Sequence, residues 1–104
     1  MNDLTVCAEI GSSWRVDDLA ESHLLALSAI HQAAEAGATA VKFQLFDADR
    51  FYSKERAPKQ YEHAVRYQLP VDWIQGLSDV AHELHLNFWL SVFDVMSASK
   101  AAPY

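Results

Sequence analysis

Two short apolar segments flank one amphipathic helix in the first 46 residues, and this order strongly limits the possible folds. Residues 4–10 are apolar with β-branched members and end at Gly11, as expected for a strand, and residues 40–46 form a second such segment. Between them, apolar residues recur at helical spacing from about 18 to 36, and Gly37 is suited to end that helix. Because parallel strands need a crossover connection of this length, the sequence predicts a parallel βαβ unit.

The rest of the chain continues the alternation of helix and strand. The predicted elements are, in order, a long loop over 47–70 with a short helix near 60–67, a helix over 71–84, a strand over 87–93 and the start of a helix over 97–104. No internal repeat or low-complexity tract interrupts this order. We therefore expect an α/β protein with a parallel βαβαβ arrangement.

Composition and charge exclude several classes of protein. A chain of 104 residues is one domain at most, and its 51% hydrophobic content is typical of a globular protein. The net charge of −6 and the scattered lysines and arginines argue against a nucleic-acid partner. The apolar runs are too short for a membrane span and the N-terminus lacks signal-peptide order, so a cytoplasmic location without membrane association is expected. The single cysteine, Cys7, excludes an internal disulfide.

Polar side chains are predicted to collect on one face of the sheet. Because side chains alternate along a strand, Lys42 and Gln44 share the face opposite to Val41, Phe43 and Leu45, which should meet the helices. By the same alternation, the Glu9 and Ser91 side chains each lie on one face of their own strand. Since α/β folds place their chemistry at the carboxyl ends of the strands, these four polar residues are the candidate site. A purely structural ion pair between Glu9 and Lys42 is the alternative.

The histidines do not predict a metal site. His82 and His85 are three residues apart, and His23 and His31 are eight apart on a helix, but no carboxylate accompanies either pair at ligand spacing. We therefore expect solvated surface histidines and no metal ligand in this chain.

Several short motifs follow one another in an order known from a family of enzymes. They are Ala-Glu-Ile-Gly at 8–11, Ala-Gly-Ala at 36–38, Val-Lys-Phe-Gln at 41–44 followed by Phe46, Ser-Lys at 53–54, Ala-Pro-Lys at 57–59 and, more weakly, residues 88–94. In this order the chain resembles the N-terminal part of the sialic acid synthase family, the NeuB-type enzymes that also make legionaminic and pseudaminic acids. The resemblance extends over nearly the entire chain.

The resemblance implies a fold, a reaction and a cofactor. The fold is a (β/α)8 TIM barrel, of which this chain would be an incomplete portion, because a complete barrel needs about 250 residues. The reaction condenses phosphoenolpyruvate with an N-acetylated hexosamine, such as N-acetylmannosamine, to a nonulosonic acid and phosphate. A divalent metal, Mn or Mg, assists in the family, and its histidine ligands would lie on later strands outside this chain. The family also implies a homo-oligomer.

The resemblance also implies roles for the four candidate residues. Lys42 corresponds to the family's phosphoenolpyruvate-binding lysine, since a fixed ammonium suits a phosphate or carboxylate. Glu9 corresponds to the sugar-side carboxylate, Gln44 would orient substrate by hydrogen bonding, and Ser91 would replace the family's threonine at the phosphoenolpyruvate site. The fragment by itself is expected to be inactive.

The chain departs from the family pattern at two places. After Gly11 the family usually carries Asn-His and a glycine, whereas residues 12–15 here are Ser-Ser-Trp-Arg, and Val92 replaces a usual proline. Trp14, with Tyr61 and Tyr67, is expected to pack the loops rather than stack on a sugar ring. Two other functions stay open: a non-catalytic βα module that associates with another chain or with itself, and a barrel enzyme of another reaction class.

Overall fold

Three parallel strands form one sheet at the centre of the protein. The computed structural model describes residues 4–93 and 95–104, with strands β1 (Cys7–Gly11), β2 (Ala40–Leu45) and β3 (Asn87–Val92). The strand order is β1-β2-β3, and both pairs are parallel. The predicted parallel βαβαβ arrangement is confirmed.

Five helices accompany the sheet in the described residues. They are α1 (Leu19–Glu35), α2 (Ala48–Phe51), α3 (Pro58–Tyr67), α4 (Ile74–Glu83), preceded by a 3-10 turn at Val71–Trp73, and α5 (Val95–Ala101). Asp18 caps α1, because its carboxylate accepts hydrogen bonds from the backbone N–H groups of Ala20 and Glu21 at 2.8 and 3.2 Å. Gly37 follows that helix with a φ of +91°, a conformation suited to glycine.

The segment after β2 is more ordered than the predicted loop. The helix expected near 60–67 is present as α3, which begins at Pro58, but α2 was not predicted. Asp47 caps α2 by accepting a hydrogen bond from the N–H of Asp49 at 3.0 Å. The Tyr61 hydroxyl donates to Asp49 at 2.6 Å and joins α3 to α2, so Tyr61 fastens the loop as expected.

The first strand begins three residues later than the predicted position 4. The backbone of Val6 is bonded to Thr39, with Val6 N–H donating to the Thr39 hydroxyl and Thr39 N–H donating to the Val6 carbonyl, both at 2.8 Å. Leu4 and Val6 also have exposed side chains. The apolar segment of the sequence therefore starts before the regular strand pairing does.

The core lies between one face of the sheet and the helices. Val41, Phe43 and Leu45 of β2 are buried in one cluster with Ile30 of α1 and Leu77 of α4. The prediction that the apolar side of β2 meets the helices is confirmed.

Not all histidines are solvated as expected. His82, His85 and His31 are exposed, but His23 is half-buried and stacks on Trp73 with ring centroids 4.3 Å apart. The expectation was wrong for His23, because Trp73, in the 3-10 turn that precedes α4, gives its ring an aromatic partner.

Gly76 offers a test of how α4 is stabilised. It is exposed inside the helix, and a Cβ added there would meet nothing within 4 Å. Gly76→Ala should therefore raise the free energy of unfolding by about 0.5–1 kcal/mol. Gly37→Ala is the matched control and should lower it, because alanine tolerates a φ of +91° poorly. Urea denaturation of both variants is the measurement, and shifts of the same sign would contradict the argument.

Candidate active site

Glu9 and Lys42 form an ion pair on the side of the sheet away from the core. They are register partners on β1 and β2, and Lys42 Nζ lies 2.9 Å from Glu9 Oε2. The Lys42 side chain is 34% exposed and the Glu9 side chain is 52% exposed, so the pair remains open to a ligand. Hydrogen bonding and charge from Glu9 raise the pKa of Lys42 above its ordinary value of 10.5. Lys42 is consequently a fixed ammonium at neutral pH.

The other two candidate residues lie one step closer to the carboxyl ends of the strands. Gln44 of β2 is the register partner of Ser91 of β3, and both side chains are half-buried. Two residues along a strand correspond to roughly 7 Å, so this second row lies next to the ion pair on the same face. All four residues singled out in the sequence are thus brought to one face, with Trp89 opposite Lys42 on β3.

A bulge at the end of β1 brings the backbone close to Gln44. The pairing moves from Glu9 with Lys42 directly to Gly11 with Phe43, which leaves Ile10 as an extra residue. Gly11 has a φ of +57°, and a Cβ there would lie 3.7 Å from Gln44 Nε2. The left-handed backbone therefore favours glycine at this position, whereas 3.7 Å is an ordinary contact distance that a Cβ would tolerate.

Trp14, in the unusual segment 12–15, turns into the core. Trp14 is only 2% exposed, its indole N–H donates to the Gly11 carbonyl at 3.0 Å, and its ring packs edge-on against Trp73 at 5.3 Å. The expectation that Trp14 packs the structure is confirmed. The departure from the family pattern therefore supplies a core residue at the end of β1.

An aromatic cavity of about 390 Å³ adjoins Gln44. We call it the aromatic cavity; its lining residues are Ser12, Gln44, Phe46, Phe51, Tyr52, His63, Ala64, Tyr67 and Phe93. Sequence reasoning missed most of these aromatic residues as a group, because they come from the ends of β2 and β3 and from helices α2 and α3. The density of aromatic residues between 46 and 67 was the only signal. Tyr67 lies in this wall and contacts His63 at 4.6 Å between ring centroids.

Neither a metal-binding cluster nor a membrane-spanning helix is found in the described residues. Within 4–93 and 95–104, no three His, Cys, Asp or Glu side chains lie close enough together to hold a metal ion. The expectation that later residues hold a divalent metal stays a prediction. No helix in the described part of the chain has both the length and the apolar character needed to cross a membrane.

Comparison with known proteins links this geometry to a family. The model of the NeuB family matches residues 29–102. Spore coat polysaccharide biosynthesis protein SpsE of Bacillus subtilis (strain 168) is 39% identical over 84 residues, which cover 70% of this chain and 22% of SpsE. The match to the family model extends over more than half of the chain.

Solved structures agree with the family match. The crystal structure of SpsE from Bacillus subtilis is 35% identical, with a TM-score of 0.68, over 98% of this chain and 28% of SpsE. The N-acetylneuraminic acid (sialic acid) synthetase from Leptospira borgpetersenii serovar Hardjo-bovis, solved with citrate, has a TM-score of 0.80 over 98% of this chain and 33% of that protein, at 22% identity. The latter likeness shows the fold, a portion of a TIM barrel. The chain spans only a fifth to a third of the length of these relatives. Because the family model matches more than half of it, the chain belongs to the NeuB family and corresponds to a short N-terminal part of such proteins.

Proposed function

We propose that this chain forms the N-terminal portion of a synthase that condenses phosphoenolpyruvate with an N-acetylated hexosamine, such as N-acetylmannosamine. A carbon–carbon bond forms between the methylene carbon of phosphoenolpyruvate and the aldehyde carbon of the open-chain sugar. Water is consumed, phosphate leaves, and a nonulosonic acid is the product. The observation that carries the proposal is the Glu9–Lys42 pair beside Gln44 and Ser91 on one open face.

Lys42 has the properties needed to hold phosphoenolpyruvate. Its ammonium has three N–H donors, and the contact with Glu9 Oε2 leaves donors for a second anion. Ser91 and Gln44, in the next row, offer a hydroxyl and an amide to the remaining oxygens of the ligand. A fixed charge with neighbouring polar donors is a suitable arrangement for a carboxylate or phosphate group.

Glu9 and the aromatic cavity have the complementary properties needed for a sugar. The Glu9 carboxylate can accept hydrogen bonds from sugar hydroxyls while its other contact keeps Lys42 in place. The aromatic cavity begins at Gln44, and its ring faces suit the C–H surfaces and acetyl group of an N-acetylated hexosamine. The divalent metal implied by the family is assigned to no residue of this chain. A cytoplasmic location, expected from the sequence, and a homo-oligomer, expected from the family resemblance, remain predictions.

Phosphate release by the complete enzyme, of which this chain is proposed to be a part, tests the assignment. With Mn²⁺ or Mg²⁺ present, we expect one phosphate per nonulosonic acid, and only when phosphoenolpyruvate and an N-acetylated hexosamine are both added. A panel of N-acetylated hexosamines then identifies the preferred sugar. Phosphate release that does not need any amino sugar would indicate another reaction class and overturn the proposal.

A non-catalytic module is the second candidate, and one observation favours it. Trp89 and Phe93 are 41% and 52% exposed at the open face of the sheet and its edge, where they could contact another chain or a second copy. Sedimentation of the chain by itself distinguishes the cases. Self-association would support this module, whereas a compact, stable monomer would count against it.

A further inference from the structure

A second cavity, of about 410 Å³, lies where β2 ends on the side of the sheet that faces the helices. We call it the basic cavity; its lining residues are Arg15, Leu19, Leu45, Phe46, Asp47, Val65, Arg66, Gln68, Leu69, Pro70, Val71, Ser97 and Lys100. Leu45 lines this cavity, whereas the next residue back, Gln44, lines the aromatic cavity. Because neighbouring strand residues point to opposite faces, the two cavities lie on opposite sides of the sheet and meet only at Phe46.

The basic cavity concentrates positive charge in an acidic protein. The chain has eight lysines and arginines and a net charge of −6, yet three of those cations, Arg15, Arg66 and Lys100, line this one cavity. Among the described residues, the one carboxylate in its wall is that of Asp47. Arg66 is held by Asp17 at 2.6 Å, whereas Arg15 and Lys100 form no ion pair with any carboxylate in the described residues. Two cations are therefore available to an anion.

Arg15 has an unsatisfied hydrogen-bond donor. Its Nε atom is buried and has no hydrogen-bond partner within the described part of the structure. A buried polar donor without a partner is unfavourable and uncommon, and for a guanidinium the preferred partner is a carboxylate or phosphate oxygen. The backbone N–H of Arg15 donates to the Ser12 carbonyl at 3.2 Å, so the residue is fixed at the cavity wall. An anion in the cavity would complete its hydrogen bonding.

The remaining wall determines which kind of anion fits. Leucine, valine and proline side chains make up much of it, mainly Leu19, Leu45, Val65, Leu69, Pro70 and Val71. A volume of 410 Å³ lies in the usual range for small-ligand sites and exceeds the need of a bare ion. We propose that the basic cavity binds a small organic phosphate, with the phosphate at Arg15 and Lys100 and the apolar body against these side chains.

Titration of the protein with phenyl phosphate tests this site directly. The Arg15 Nε–H signal in a ¹⁵N-labelled sample should shift with saturation, and phenyl phosphate should bind more tightly than inorganic phosphate. Arg15→Gln and Lys100→Gln should each weaken binding about tenfold, because each removes a charge-assisted hydrogen bond. Arg56→Gln is the matched control, since Arg56 is exposed in the loop before α3 and does not line the cavity, and it should bind as the parent protein does.

Two further variants separate this site from the proposed active site and from misfolding. Lys42→Met should keep the Arg15 signal shift, because Lys42 lies on the other face of the sheet. Arg15→Lys keeps the charge if Arg15→Gln fails to fold, and it should still bind less tightly because the Nε donor is lost. Any one of three results would overturn the proposal. They are equal affinity in Arg15→Lys, Lys100→Gln and Arg56→Gln, absence of saturable binding, and loss of binding only in Lys42→Met. These outcomes do not depend on whether the enzyme condenses phosphoenolpyruvate with a sugar.

Discussion

Replacing Lys42 by methionine should lower phosphate release from phosphoenolpyruvate by the complete enzyme at least about 100-fold, as expected when a preorganised charge that faces a substrate anion is removed. Methionine removes the ammonium and keeps an unbranched, flexible side chain that is one atom shorter than that of lysine. Because the Lys42 side chain lies on the open face and outside the buried cluster, the melting temperature should remain close to that of the parent protein. Steady-state kinetics with phosphoenolpyruvate and N-acetylmannosamine provide the measurement, together with a thermal melt.

Three comparison variants separate binding of the substrate from the ion pair. Lys59→Met makes the same change at an exposed lysine of α3 and should leave the kinetics unchanged. Glu9→Gln should raise KM for the amino sugar more than KM for phosphoenolpyruvate, if Glu9 faces the sugar. Lys42→Arg should recover only part of the activity, because a planar guanidinium places its donors differently from an ammonium. If Lys42→Met were as active as Lys59→Met, the ion pair between Glu9 and Lys42 would have only a structural role.

The pH dependence of the pair follows from the direction of the Lys42 shift. The pKa of Lys42 is higher in the folded protein than its ordinary value of 10.5, mainly because of the hydrogen bond from Lys42 to Glu9. The contribution of the pair to folding is therefore fully present below pH 10.5 and is lost as the pH rises through the higher folded value. Any change of activity with pH near neutrality consequently belongs to other groups, and Lys42→Arg should not shift it.

The candidate face could be predicted because it depends on one simple regularity. Side chains alternate along a strand, so Lys42 and Gln44 had to share a face, and parallel pairing brought Glu9 and Ser91 beside them. The roles of these residues came from the family resemblance and remain predictions. The bulge at Ile10 could not be predicted, because an extra residue in a strand leaves no period in the sequence and depends on the left-handed backbone of Gly11.

Features that depend on distant parts of the chain could not be found by spacing. The basic cavity combines Arg15, which follows β1, with Arg66 on α3 and Lys100 on α5, and the aromatic cavity likewise collects rings from several elements. Such cavities exist only after the loops fold over the end of the sheet. The four-residue helix α2 could not be predicted for another reason: a single turn is too short to show helical periodicity.

Truncation of the central core residue should have the largest effect on stability. Phe43 is completely buried in β2, and its ring lies 5.9 Å from that of Phe88 on β3. Phe43→Ala should reduce the free energy of unfolding by about 3–5 kcal/mol, since it removes buried apolar surface and leaves a cavity. Urea denaturation followed by circular dichroism measures the loss. Because small domains have total stabilities of only about 5–15 kcal/mol, this loss is a substantial share of the total and should raise the unfolded fraction at 37 °C.

Phe93→Ala is the matched control for Phe43→Ala. Phe93 is half-exposed and contacts only the rings of Phe46 and Phe51 among the described aromatic residues, so its loss should cost about 1 kcal/mol or less. Equal costs at the two positions would contradict the assigned core. Since Phe43 lies between Lys42 and Gln44, Phe43→Ala should also lower activity, but through the folded fraction. A stabilising osmolyte should therefore restore the activity of Phe43→Ala but not that of Lys42→Met, which distinguishes a residue that supports the site from the residue proposed to bind the substrate.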